Sequence, residues 1–163
     1  MIVVSDASPL IALDCVGHLE ILRDVFGRVL VPEAVQHEVE QGQEGGLDLT
    51  SVPWIEIRQV GDVASMNELV AANLDTGEAA ALALALEVHA DYLLVDERAA
   101  RWVARQRGVE VVGVLGVLLI AKRRGVLPLV APIIGDLLTR AGFRASPRLV
   151  AEVLEAAGEA TRT

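Results

Sequence analysis

Aromatic side chains are scarce in this 163-residue chain, at 3%. That argues against reading of nucleic-acid bases by stacking and leaves backbone contacts as the main mode for any such partner. Cysteine is rarer still: Cys15 stands alone, so neither a disulfide framework nor a thiolate metal cluster can form. The three histidines, His18, His37 and His89, are scattered without ligand spacing. His89 closes a helical pattern, where a cation suits the dipole. No apolar run is long enough for a membrane span, and the longest, 111–121, is broken by Gly113 and Gly116. The first charged side chain is Asp6, so the basic region of a signal peptide is missing and a cytoplasmic location is expected. No GxGxxG follows a strand and no Walker A pattern occurs, which removes the usual nucleotide cofactors.

Hydrophobic residues make up 53% of the chain and are mostly Ala, Val and Leu, which suits helices packed on a parallel sheet. The length fits one domain over 1–163, with no repeat or linker. β-Branched and apolar runs predict strands at 2–5, 28–31, 54–59, 91–95 and 110–112. Helical spacing predicts helices at 8–15, 17–26, 33–41, 62–74, 76–89, 98–107, 114–124, 129–140 and 147–157. The Gly- and charge-rich stretch 42–53 reads as a mobile loop. Alternation of the two patterns indicates an α/β fold with a mostly parallel central sheet flanked by helices.

The acidic residues fall at particular places in this pattern. Asp6 ends the first strand in Val3-Val4-Ser5-Asp6-Ala7-Ser8-Pro9, and Asp96-Glu97 ends the strand Tyr92-Leu93-Leu94-Val95. Ligands of open α/β sheets bind outside the carboxyl ends of parallel strands. Carboxylates gathered there stay ionised together only beside a cation, which points to Mg²⁺ or Mn²⁺, hard ions suited to oxygen ligands. Glu38 shares a helical face with Ala34, Val35 and Gln41, so it reads as inward-facing; an amphipathic rim is the plain alternative. In Leu74-Asp75-Thr76-Gly77-Glu78, Asp75 and Glu78 have the spacing of a capping box. Glu78 also begins a stripe with Leu82, Ala85 and Leu86, which favours it over Asp75 as a ligand.

The net charge of −9 averages unlike regions. Residues 1–97 hold 18 acidic and 3 basic side chains, while 98–148 hold 2 acidic and 10 basic ones. Arg98, Arg101 and Arg105 share a helical face that begins beside Asp96, with Trp102 one turn from Arg98. A phosphate backbone could lie on this face, although mutual neutralisation of the two regions is the simpler reading. Lys122-Arg123-Arg124 ends a helix, where bases stabilise the terminus or contact RNA.

Together, Asp6-Ala7-Ser8, Glu38, Leu74-Asp75-Thr76-Gly77-Glu78-Ala79 and Leu93-Leu94-Val95-Asp96-Glu97-Arg98 resemble the PIN domain. More narrowly, they resemble a prokaryotic PIN-like family related to toxin ribonucleases of the VapC type. Val112-Gly113-Val114-Leu115-Gly116 and Ala141-Gly142-Phe143-Arg144-Ala145-Ser146-Pro147 extend the likeness over nearly the whole chain. The resemblance implies a three-layer fold and a metal-dependent ribonuclease that cleaves single-stranded RNA, leaving 5′-phosphate and 3′-hydroxyl ends. It further implies the toxin of a toxin–antitoxin pair, with a small antitoxin protein as partner. Carried over, Asp6, Glu38, Glu78 and Asp96 become the catalytic, metal-binding set; Ser8, Asp75 and Glu97 support it, and Arg98, Arg101 and Arg105 would meet RNA. Two rivals remain: a non-catalytic PIN-like module that binds nucleic acid or protein, and a Mg²⁺ enzyme acting on small phosphate esters.

The segment 126–138 is apolar nearly all round a helix, with Asp136 its only charge. Helices over about 126–158 are therefore expected either to pack on the domain or to form a homodimer surface, the usual state of PIN-like proteins. Within one chain, 147–157 is the natural cover.

Overall fold

The structure, a computed structural model, describes residues 1–42 and 46–159. Its strands are β1 (Val3–Ser5), β2 (Val29–Pro32), β3 (Ile55–Arg58), β4 (Tyr92–Leu94) and β5 (Val111–Val112). They form one sheet in the order β3-β2-β1-β4-β5, with every pair parallel. Every residue of β1 and β2 is buried, so the centre of the sheet is covered on both faces and the fold is three-layered. The five sequence-predicted strands coincide with these to within two residues at either end. The expected α/β class holds.

The helices are α1 (Ala7–Cys15), α2 (Ile21–Phe26), α3 (Glu33–Gln41), α4 (Val63–Ala71), α5 (Thr76–Glu87), α6 (Arg98–Gln106), α7 (Val114–Arg123), α8 (Ala131–Arg140) and α9 (Pro147–Ala156). Most are somewhat shorter than their apolar patterns. The expected helix 62–74 stops at Ala71 because Asn73 turns left-handed, with φ +71°, a conformation Asn tolerates. The expected helix 17–26 begins only at Ile21, after Gly17 has turned the chain at φ +74°. The expected helix 129–140 begins at Ala131, with Pro132 in its first turn. The stretch 42–53 is not simply a free loop. Leu49 is fully buried, and a 3₁₀ turn over Leu49–Ser51 is capped by Asp48, which accepts from the Thr50 amide at 3.0 Å. Residues 43–45 of that stretch lie outside the described residues.

α5 is the central helix and packs on β1, β2 and β4 as well as on α3, α4 and α6. Gly77 and every residue from Ala79 to Ala85 are buried. Alternating Ala and Leu let this helix approach the sheet closely while filling the space between layers.

Where the sequence suggests an apolar surface, α8 instead turns Ile133, Ile134 and Leu137 inward and packs on α1. α9, which the sequence suggests as cover for α8, packs on α7. What stays outside is small: Leu129 is 52% exposed and Leu138 37%.

The carboxyl-terminal helices are held by one side chain. Glu159 accepts from the amides of Val130 (2.9 Å) and Ala131 (3.0 Å) at the start of α8, and from Lys122 Nζ at 2.7 Å on α7. Its side chain is only 7% exposed. It supplies the cap that α8 lacks from its own N-cap residue, Val130. Glu159→Ala would leave these amides and the Lys122 ammonium without their acceptor, and a loss of about 2 to 3 kcal/mol in urea unfolding is expected. An unchanged midpoint would show the clasp to be superficial.

Candidate metal centre

The chain lays down β1, β2 and β3 in one direction and then returns to place β4 and β5 on the other side of β1. The reversal falls between the carboxyl ends of β1 and β4, where crossovers diverge and a crevice opens. Asp6 follows β1 and Asp96 lies just beyond β4. The two strands are neighbours, with Ser5 beside Leu94, and the Asp6 amide donates to the Leu94 carbonyl at 2.9 Å. The sequence spacing of these two residues is large, but parallel pairing brings them to the same crevice.

Both carboxylates are held so that one oxygen lacks a partner. Asp6 is at the N-cap of α1, yet its side chain makes no capping bond, and it is only 4% exposed. Asp96 Oδ1 accepts from the Val114 amide at the start of α7, at 3.1 Å. Asp6 Oδ1 and Asp96 Oδ2 are the buried side-chain polar atoms left without a hydrogen bond among the described residues. Buried oxygens of this kind are costly in a folded protein and call for a reason. Burial, reinforced by the charges of Glu38, Asp75 and Asp96, pushes the Asp6 carboxyl up to about 7; the Ala7 amide offsets part of this. Burial also raises Asp96, against the opposing pull of the Val114 amide and Arg101.

Gly77 marks the meeting point of the remaining acids. A Cβ there would stand 2.9 Å from Glu38 Oε2, 3.5 Å from Asp75 Oδ1 and 3.6 Å from Asp6 Oδ1. Asp75 and Glu78 do form the capping box expected from their spacing: the Glu78 amide donates to Asp75 Oδ1 at 2.7 Å, and the Asp75 amide to Glu78 Oε2 at 3.3 Å. Burial first, then the charge of Asp75, raises Glu78 to about 7, and Asp6 adds to the effect. Glu38 is raised by burial and by Asp75. Two facial readings from the sequence need correction. The inward stripe of α3 is Val35 and Val39, with Glu38 exposed at its rim and reaching across to the α5 terminus. On α5, burial all round means that the stripe beginning at Glu78 cannot separate it from Asp75.

The other expected residues are placed as follows. Ser8, Asp75, Glu78, Asp96 and Glu97 line one cavity of about 490 Å³, together with Phe143 and Arg144. Glu38 lies in the adjoining hollow with Asp75, Thr76 and Gly77. Arg98, Arg101 and Arg105 line a second cavity, which also reaches Asp96. Arg101 sits close to Asp96, across Gly113: a Cβ on that glycine would lie 2.5 Å from Asp96 Oδ1 and 2.7 Å from Arg101 Nη1. Lys122 is engaged by Glu159, and Arg124 donates to the Val25 carbonyl, so those two bases of the helix end serve the fold. Sequence reasoning missed Gly77, Gly113, Phe143 and Arg144 as parts of the site. A glycine in the first turn of apolar α5 and another directly before apolar α7 were the available signal.

The two glycines separate metal binding from stability. Gly77→Ala is expected to leave unfolding free energy within about 1 kcal/mol of wild type, because Glu38 is flexible and exposed and Ala suits a helix. Its methyl group would nevertheless push Glu38 out of the space beside Asp6, lowering affinity for Mn²⁺ in calorimetric titration. Gly113→Ala meets a short buried Asp96 side chain and is expected to cost about 1 to 3 kcal/mol. Equal effects of the two substitutions on stability would contradict this geometry.

The donor set suits Mg²⁺ or Mn²⁺: it is all carboxylate oxygen, includes two oxygens with no other partner, and closes around a glycine whose missing side chain lets Glu38 approach. Among the described residues, no three His, Cys, Asp or Glu side chains are drawn close enough to enclose an ion. Carboxylates that repel one another stand apart until a cation offsets their charge.

The protein is thus a parallel α/β domain with acidic side chains at the switch point, where ligands of such sheets bind. The family model described as PIN domain matches residues 2–159, and the chain belongs to that family. No curated protein and no solved structure matches it. Membership supports a nuclease-type function in general terms. No helix among the described residues is long and apolar enough to cross a membrane.

Proposed function

We propose that the protein is a Mg²⁺- or Mn²⁺-dependent ribonuclease that cleaves single-stranded RNA and serves as the toxin of a toxin–antitoxin pair. The observation that carries the reading is the pair of buried, unpartnered oxygens, Asp6 Oδ1 and Asp96 Oδ2, at the ends of adjacent parallel strands. Asp6, Glu38, Glu78 and Asp96 would hold the ion, with Asp75 fixing Glu78 through the capping box. When bound, the ion supplies neutralising charge at the phosphoryl group and an activated water. The Val114 amide orients Asp96, and the Asp6 backbone is pinned to β4, so both carboxylates are preorganised. Ser8 and Glu97 border the same cavity and complete its polar wall. A small antitoxin protein, a homodimer and a cytoplasmic location belong to the same reading.

The test is cleavage of a labelled single-stranded RNA by wild-type protein in Mg²⁺ or Mn²⁺, with EDTA and Asp6→Asn as controls. Products ending in 5′-phosphate and 3′-hydroxyl are expected. RNA that binds tightly yet stays intact in both metals would instead establish the non-catalytic binding module.

A further inference from the structure

The cavity beside the acidic crevice, about 530 Å³, lies between α6, α7 and α9. Its rim carries Arg98, Arg105 and Arg144, and none of these forms an ion pair among the described residues. Its floor is apolar and includes Leu119 and Leu149, the latter 43% exposed. Asp96, Phe143 and Arg144 line this cavity and the acidic one alike, so the two are continuous.

Phe143 is one of only two phenylalanines in the chain. Its position is set by the end of α8: Gly142 turns left-handed at φ +64°, and the Phe143 amide returns to the Leu137 carbonyl at 3.0 Å. An aromatic ring is thereby presented where the two cavities join. Arg101 differs from the other arginines, since its guanidinium lies by Asp96 across Gly113.

We propose that this second cavity is the binding groove for the RNA strand that continues away from the scissile phosphate. Arg98, Arg105 and Arg144 pair with successive phosphates, and Phe143 stacks on the base next to the cleavage position. The inference rests on the ribonuclease reading above and adds to it the path of the substrate. Three guanidiniums without carboxylate partners give the groove its charge complementarity, and an apolar floor with one aromatic suits unpaired bases. A duplex would keep its bases stacked inside and leave that floor uncovered.

The experiment measures anisotropy of a fluorescein-labelled, ten-nucleotide single-stranded oligouridylate with the full chain in EDTA, across a salt series. Cleavage kinetics in Mn²⁺ are followed in parallel. Arg98→Gln/Arg105→Gln/Arg144→Gln should weaken binding at least tenfold and reduce the slope of log affinity against log salt by about 2, at about 0.7 per phosphate contact. KM should rise with little change in kcat. Phe143→Ala should weaken binding about tenfold without altering the slope. Arg148→Gln, whose side chain pairs with Glu152 outside the groove, should bind as wild type does. Unfolding curves of the variants check that they are folded. Wild-type affinity and slope in the triple variant would overturn the proposal, as would oligoglutamate of equal charge competing as well as the RNA. If wild type binds through these arginines but cuts nothing in Mn²⁺, the groove stands and the ribonuclease reading fails.

Discussion

Asp6→Asn is expected to abolish metal-dependent RNA cleavage while making the metal-free protein more stable. The two effects share one cause. Asp6 is 4% exposed, and its Oδ1 has no hydrogen-bond donor, so its negative charge is tolerated in the fold rather than stabilised by it. Asn keeps the shape and removes the charge. In EDTA at pH 8, a gain of about 1 to 3 kcal/mol is expected, less than the shift from 3.8 to about 7 implies, because a buried amide also needs partners. Activity should fall by at least about a hundredfold, since even residues that only support metal ligands cost 10- to 100-fold when lost. Mg²⁺ or Mn²⁺ should raise the melting temperature of wild type through mass action, and that rise should largely vanish in Asp6→Asn. An equal metal-induced rise in both proteins would place the ion elsewhere. Loss of stability in metal-free Asp6→Asn would show that the carboxylate is structural.

The fold was readable because its signals were local. Val3-Val4, Val29-Leu30-Val31 and Tyr92-Leu93-Leu94 lie in short apolar runs, and such runs mark the strands to within a residue or so. The positions of Asp6 and Asp96 were readable for the same reason, since a residue at the end of a buried parallel strand has one place to go. Glu38 and Glu78 were named through a facial argument that the packing does not uphold. Periodicity distinguishes faces only on a half-buried helix, and α5 is buried all round. Glu38 reaches the cluster from an exposed rim by the length of its side chain, which no hydrophobic pattern records.

Features that depend on non-local contact left no such signal. Glu159 caps a helix that begins 28 residues earlier, and nothing in its neighbours marks that role. Gly113 keeps Asp96 and Arg101 in place by omitting a side chain, an effect visible only once the strands are paired. The apolar all-round pattern of 126–138 left two readings open, a homodimer surface or cover by 147–157. In the fold Ile133, Ile134 and Leu137 turn inward and α8 packs on α1.

Stability of the metal-free protein is expected to fall as pH rises from about 5 to 8, the reverse of a domain held by carboxylate ion pairs. The sign follows from Asp6. Its folded value of about 7 exceeds the ordinary 3.8, so between these limits the folded chain retains a proton that the unfolded chain has released. Stability is therefore greatest at the acid end of that window and is lost as pH climbs through 7, by at most about 4 kcal/mol from Asp6. Asp14, Glu38, Glu78 and Asp96 are raised as well and act in the same direction. Glu56 and Glu159 are lowered despite the opposing effect of burial: Arg58 and Arg28 hold Glu56 down, while Lys122 and the amides of Val130 and Ala131 hold Glu159 down. Their contribution is present above 4.5 and is lost as pH falls further, which sets the acid limit of the window. Bound metal competes with the proton at these carboxylates, so Mg²⁺ should stabilise far more at pH 8 than at pH 5 and flatten the profile. Urea unfolding at four pH values, in EDTA and in saturating Mg²⁺, measures both curves. A metal-free profile that is flat or rises from pH 5 to 8 would mean that Asp6 is ionised and satisfied without metal, and the case for the ion at this crevice would fall with it.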